Sequence, residues 1–286
     1  MDNLNYDYLN AKPILLPSYQ QLNLYLIGCG GTGSWIAPSL CRIARVISAQ
    51  GKKVNLTFID PDKVEAKNTL RQNFCDAEIG SNKAQTLAIR YSIAWGIEIK
   101  AITTRWNEHL LEHPSFYHSQ STLTVLIGCV DNAAARKSIA KTIRQNQIST
   151  QKIEPTSLWW LDCGNHYNSG QVLLGSHVDP NPETYQFQRL GCCKLPAPSI
   201  VHPELLKPLP EEIEDSSLSC AEIAMRNAQS LSVNQRVAAE AADYLVRLTT
   251  GRLNRFATYF DLISGSSNSL YTTYSTIAQA IEKKHS

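Results

Sequence analysis

The hexapeptide Gly28-Cys29-Gly30-Gly31-Thr32-Gly33 has the spacing G-x-G-x-x-G and lies directly after the apolar run Leu22–Ile27 and before a segment of helical periodicity. Glycines at these positions let a backbone turn tightly and approach a phosphate closely, and the helix that follows offers unpaired N–H groups carrying about half a positive charge. The same spacing also serves as a plain strand-to-helix turn; the flanking strand and helix are what favour a nucleotide. Asp60, at the end of the next apolar run, could bond a ribose hydroxyl of NAD or of ATP. These residues therefore point to a nucleotide and leave its kind open.

The elements that would position them follow from periodicity. Leu22–Ile27 reads as a buried strand, residues 34–49 as a helix with apolar side chains at Ile36, Leu40, Ile43, Ala44 and Ile47 and a stop at Gly51, and Val54–Ile59 as a second strand. Handedness makes such a β-α-β unit a parallel pair. A helix from about Lys83 to Trp95, a strand at Ile97–Thr103, a strand at Thr122–Val130 ending at Asp131-Asn132 and a helix through Ala140 continue the alternation. Strands at Leu158–Asp162 and Gly170–Gly175 come next, then a polar, Pro-rich loop over about 181–219, a helical stretch at Ala221–Thr250, and a hairpin (Phe256–Ile263, Leu270–Tyr274) around Ser264-Gly265-Ser266. The expected fold class is α/β: a Rossmann-like, doubly wound, mostly parallel sheet extended by antiparallel C-terminal strands.

Composition excludes several classes. The 286 residues are 43% hydrophobic and 18% charged with a formal net charge of +2. Lys and Arg are dispersed, so the electrostatic footprint of a nucleic-acid binder is missing. No apolar run approaches the roughly 20 residues that span a bilayer, and the polar, acidic start MDNLNYDYLN is unlike a signal peptide. The expectation is a cytoplasmic protein whose eight cysteines stay reduced, with Cys29, Cys129 and Cys163 as packing residues.

Downstream of Asp60 the chain reads Asp60-Pro61-Asp62-Lys63-Val64-Glu65-Ala66-Lys67-Asn68-Thr69-Leu70-Arg71-Gln72-Asn73-Phe74, then Gly80-Ser81-Asn82-Lys83. This resembles the stretch D-x-D-x-V-x-x-x-N-x-x-R-Q-x-F followed by G-x-x-K of the ThiF/MoeB/E1 adenylating family. The resemblance implies that Asp60 holds the ATP ribose, that Asn68, Arg71 and Lys83 contact the phosphates, and that Asp62 and Gln72 belong to the same site. The chemistry suits these types: when a carboxylate attacks the α-phosphate, charge builds on the phosphate oxygens, and cations aimed there in a dry pocket stabilise it. Standing alone, Arg71 and Lys83 would be solvated surface cations, and Asn68 a turn or cap residue.

Gly128-Cys129-Val130-Asp131-Asn132, with Arg136 beyond, stands where this family carries an Asp that binds Mg²⁺ beside the nucleotide, with Asn132 on the cofactor side; the bland alternative makes Asp131 a helix cap. Some family members pass the activated carboxylate to a cysteine. Cys220 is the candidate here, at the expected start of a helix whose dipole would lower its pKa, against a simple packing role; the adjacent Cys192-Cys193 is weaker. Paired C-x-x-C motifs are missing, so no zinc is expected. The first 41 residues hold no arginine, whereas several relatives lend an N-terminal Arg to the partner subunit's ATP; Lys12 is the substitute to consider. Leu195–Pro198, His202–Leu205, Ser219–Glu222 and Gln229–Gln235 look like the ThiF-type branch of the bacterial PRTRC gene system.

The resemblance thus implies one adenylation domain over 1–286, with a nucleotide-binding half at 21–150 and a carrier-binding half at 151–286. It implies ATP- and Mg²⁺-dependent adenylation of the C-terminal carboxylate of a small ubiquitin-like or sulfur-carrier protein, in a possible homodimer. The alternatives are a catalytically silent subunit of the same fold, and an NAD-dependent oxidoreductase, which has no use for the cation set.

Overall fold

Leu22, Leu24 and Leu26 of the first strand, β1 (Gln21–Ile27), pack on one side of a sheet and Tyr25 and Ile27 on the other, and all five are buried. Burial on both faces is what a near-continuous apolar run requires of a central parallel strand. The computed structural model of the chain describes residues 6–111, 122–147, 155–185, 187–208 and 231–282.

Within these residues β1 is followed by α1 (Gly31–Ala49), β2 (Lys53–Ile59), α2 (Lys83–Trp95), β3 (Ile99–Ile102), β4 (Thr122–Gly128) and α3 (Ala133–Gln147). Then come β5 (Leu158–Asn165), β6 (Ser169–Gly175), α4 (Leu231–Thr249), β7 (Arg255–Asp261), β8 (Ser267–Tyr271) and α5 (Tyr274–Glu282). The sheet order is β8-β7-β6-β5-β4-β1-β2-β3. Strands β3, β2, β1, β4 and β5 are parallel; β6, β7 and β8 add on antiparallel. This is the expected α/β class, and its connectivity reverses between β1 and β4, the place where open α/β sheets bind ligands.

The helices cover both faces. Apolar side chains of α1 (Ile36, Leu40, Ile47), α2 (Leu87, Tyr91) and α4 (Val237, Tyr244, Leu248) pack into one core with Leu24, Val125 and Trp159, while Ile139 and Ile143 of α3 pack on the opposite face with Tyr25, Leu126 and Trp160. Helix α2 starts where Asn82 accepts the Gln85 N–H (3.0 Å). No helix among the described residues is long and apolar enough to cross a membrane.

Several expected bounds shift, three of them with a physical cause in view. Helix α1 begins at Gly31, not residue 34, because the glycine loop itself supplies its first turn. Strand β5 runs to Asn165, held by pairing with β6 through Asn165↔Gly170. The last strand stops at Tyr271 and a helix follows, capped by Thr273, whose Oγ1 accepts the Thr276 N–H (3.1 Å); the β-favouring Tyr and Thr residues there had read as strand. In the long loop, the described part holds a small hairpin, Phe187–Gln188 with Gly191–Cys192, and a short helical turn, Pro198–Val201.

His177, just beyond β6, is 6% exposed, with Nδ1 3.0 Å from Ser176 Oγ. Burial, reinforced by Lys194 and opposed by Asp179, pushes its imidazole down to about 4. A lowered histidine pKa means the unfolded chain binds the extra proton first, so stability is full above about 6.5 and is lost as pH falls toward 4. Between pH 7 and pH 5 this group should remove about 2 kcal/mol. Urea midpoints of His177→Gln should fall correspondingly less over that interval than those of the unmodified chain; parallel slopes would refute the assignment.

Candidate functional site

The turn after β1 is made by close backbone approaches. Gly28 sits at φ +88°, its N–H donates to the Ile59 carbonyl (2.9 Å), and a Cβ there would stand 2.5 Å from the Cys129 carbonyl oxygen. A Cβ on Gly33 would lie 1.9 Å from the Gly28 carbonyl oxygen, so the first turn of α1 seats directly on the end of β1. Gly30 precedes α1 without any side-chain cap, and a Cβ on it would meet nothing closer than Gln72, 3.8 Å away. The first N–H groups of α1 therefore face the loop without intrahelical partners, the arrangement that receives anions.

Asp60 closes this loop from the end of β2. Its Oδ2 accepts the Cys29 N–H (2.6 Å) and its Oδ1 the Asp62 N–H (2.8 Å). Burial pushes the carboxyl up, while the two backbone donors and nearby Lys83 pull it down. Asn82 donates to the carbonyls of Asp60 (2.8 Å) and Asp62 (3.0 Å), which brings Lys83, the first residue of α2, beside Asp62 and within electrostatic reach of Asp60. Lys83 is only 8% exposed, with Nζ 3.3 Å from Asp62 Oδ2. It is not a solvated surface cation.

The segment after Asp62 is pinned onto α1. Asn68, buried, accepts the Glu65 N–H (2.9 Å) in a reciprocal capping box and with its carbonyl accepts from Arg71 and Gln72. Trp35 Nε1 donates to the Arg71 carbonyl (3.1 Å), and the Asn73 N–H to Ser34 Oγ (2.9 Å). Arg71 and Gln72 are thereby carried to the first turns of α1, and Gln72 is buried against Gly30 with no hydrogen bond to its Oε1. So the capping reading of Asn68 is realised, and it is the capping that delivers the neighbouring Arg71 and Gln72.

At the end of β4, Asn132 caps α3 by accepting the Ala135 N–H (2.9 Å). Asp131 is exposed and caps nothing; its Oδ1 accepts from Asn132 Nδ2 (3.3 Å). An exposed carboxylate at a strand's carboxyl end can ligate a cation. Arg136, one turn into α3, donates from Nε to Oδ1 of the wholly buried Asp162 (3.2 Å), whose carboxyl is raised by burial against the pull of the guanidinium.

Cys220 lies outside the described residues. Cys192 and Cys193 are buried, and burial pushes Cys192 up to about 12, which removes the thiolate a nucleophile needs. Cys29 and Cys163 are buried core thiols, as expected. Lys12 is exposed and its N–H is tied to the Thr272 carbonyl (3.0 Å).

Sequence reasoning missed Asn234. From α4, 202 residues away in the chain, its Oδ1 accepts from Thr32 Oγ1 (3.3 Å) and from Asn165 Nδ2 (2.6 Å), and a Cβ on Gly31 would lie 2.7 Å from it. The one sequence signal was its place in Gln229–Gln235. A cavity of about 560 Å³ lies elsewhere, at the amino ends of the strands among Gln21, Asn23, Asn55, Lys100 and Thr122. We assign the site to the carboxyl edge, where the glycine loop, the acids and the buried lysine converge.

A doubly wound sheet with a glycine loop at its switch point, two acids, a buried lysine and a buried glutamine beside it defines an α/β protein of the Rossmann-like class. A family model described as the ThiF family matches residues 17–180, more than half of the chain, and the chain belongs to that family. In structure it is similar to E. coli MccB (TM-score 0.52, 16% identity, covering 95% of this chain and 65% of that one). It is likewise similar to E. coli MccB with AMPCPP and MccA (0.52, 16%, 88% and 64%) and to PaaA (0.51, 14%, 88% and 64%). The chain spans less than two thirds of the length of these structures, and at such identities the likeness shows the fold. No curated protein sequence matches it.

Gly31→Ala should cost about 1 to 3 kcal/mol by overpacking against Asn234. Asn234→Ala removes the obstructing amide, so the double variant should recover part of that loss in a double-mutant cycle of urea midpoints. Strictly additive losses would mean that the two positions do not meet.

Proposed function

We propose that this chain adenylates a carboxylate with ATP, and that the carboxylate is the C-terminal one of a small protein of the ubiquitin-like or sulfur-carrier kind. The observation that carries the reading is Lys83, a buried cation paired with Asp62 and within electrostatic reach of Asp60. A hydride-transfer site has no need of it, whereas a triphosphate does. Membership of the ThiF family and the likeness to an MccB structure holding AMPCPP and MccA support the same reading.

In this reading the loop Gly28, Gly30, Gly31 and Gly33 receives the phosphates, and Asp60 retains lone pairs for the ribose beyond its two backbone donors. Arg71, Lys83, Gln72 and Asn68 surround the triphosphate, and Asp62 holds the Lys83 ammonium in place. A substrate carboxylate oxygen bonds to the α-phosphorus, the bond to the β-phosphate breaks, and pyrophosphate departs with the charge, leaving an acyl-adenylate. Arg71 and Lys83 stabilise the oxygens on which that charge grows.

Mg²⁺ on nucleotides is held by one or two carboxylates plus phosphate oxygens, and Asp131, relieved of capping by Asn132, fits that donor set. Bound there, the cation would neutralise phosphate charge. Among the described residues there is no cluster of three metal-ligating side chains. Residues 21–150 are proposed as the nucleotide half and 151–286 as the carrier half, and Leu195–Pro198 and His202–Leu205 support the PRTRC-type branch.

The test is isotope exchange between pyrophosphate and ATP, with ubiquitin-like proteins encoded near the gene offered as the acceptor. Exchange above background is expected, and its absence with every such protein, or copurification of NAD, overturns the reading. Lys83→Ala and Arg71→Ala should each lower exchange by roughly 100-fold, the scale of a lost transition-state donor; undiminished rates would misplace the site. Transfer to Cys220 is proposed as a second step: the thiol sulfur bonds to the acyl carbon of the adenylate, the acyl–phosphate bond breaks, and AMP leaves. It predicts a thiol-labile adduct with the acceptor protein that Cys220→Ala abolishes, and an adduct surviving in that variant removes Cys220 from the chemistry.

A further inference from the structure

Asn234 is wholly buried in the first turn of α4, and its two ends have different fates. Two donors, Thr32 Oγ1 and Asn165 Nδ2, converge on Oδ1 at 3.3 and 2.6 Å, which sets the orientation of the carboxamide. Among the described residues its Nδ2 has no hydrogen-bond partner. That nitrogen lies 3.3 Å from the point where a Cβ on Gly31 would stand, beside the first turn of α1.

Most buried side-chain polar atoms have a partner, and a donor left without one destabilises the fold. Here the unpaired donor stands against the N-terminal turn of a 19-residue helix whose own first N–H groups also lack intrahelical acceptors. The unpaired Nδ2 and these N–H groups thus stand at the same turn of α1, from two elements remote in sequence, while the nearer Oδ1 is already engaged by Thr32 and Asn165. An anionic oxygen satisfies such a set; a neutral donor does not.

We propose that Asn234 is a positioning residue of the nucleotide site: through Thr32 it fixes the first turn of α1, and its Nδ2 adds a side-chain donor to the backbone donors that receive the ATP phosphates. It rests on the nucleotide reading above. The arrangement also accounts for Gly31, whose missing side chain makes room for the carboxamide rather than for phosphate alone. Through Asn165 the same amide reaches the end of β5, so phosphate binding and the position of that strand end are linked.

The discriminating variant is Asn234→Asp, which keeps the acceptor for Thr32 and Asn165 but replaces the donor by a negative oxygen. ATP binding to the full chain is measured by calorimetry at pH 8, alongside unfolding midpoints without nucleotide. The expected result is an affinity for ATP at least about tenfold lower, the scale of a lost hydrogen bond to a charged group plus repulsion. Binding should return partly as pH is lowered and the new carboxyl takes up a proton and can donate. Asn234→Ser, which deletes the amide without adding charge, should weaken ATP with no such pH recovery, and it serves if the Asp variant fails to fold. ATP affinity within twofold of the unmodified chain in a folded variant overturns the proposal. If the unmodified chain itself binds no ATP, the nucleotide reading fails first, which separates the two failures.

Discussion

Between the ends of β1 and β4 two backbones come so close that Gly28 can carry no side chain: its Cα faces the Cys129 carbonyl, and its carbonyl in turn underlies Gly33. Everything at the carboxyl edge is built around that contact. It lets α1 start at once after β1, and it orients the unpaired N–H groups of the helix toward the place where the strand order reverses. Asp60 secures the loop from β2 through the Cys29 N–H. Each partner comes from a different strand, so the loop has its shape only when the parallel sheet has formed.

Charge at this edge is arranged around the same contact. Asp60 is buried enough for its carboxyl to be pushed up, and Lys83 and two backbone N–H groups offset that cost. Lys83 is in turn kept from solvent beside Asp62, so the site holds a cation in a position of low dielectric where its field is strong. Across the switch point the buried Asp162 grips Arg136 in the helix that Asn132 caps, and Asp131 beside it stays exposed.

The segment from Glu65 to Asn73 shows how local structure serves the site. Its capping box and the three bonds it makes with Trp35 and Ser34 turn a stretch without regular secondary structure, apart from one short helical turn, into a fixed bracket over α1. Asn68 is polar, buried and hydrogen-bonded at once, and its structural role is the means by which Arg71 and Gln72 arrive where a ligand would be.

The sequence by itself determined the local features: the strand, glycine turn and helix, Asp60 at a strand end, the Asp60-to-Lys83 spacing, and the parallel sheet with antiparallel additions. Each rests on short-range periodicity, turn chemistry or a contiguous pattern, which a chain displays without folding. Only the tertiary structure decided that Lys83 is buried rather than solvated, that Arg136 answers to Asp162, and that Asn234 reaches the glycine loop. Those facts depend on which side chains meet between separate elements. Contacts between residues 26 to 202 positions apart leave no trace in local pattern, because what selects them is the packing of the whole sheet.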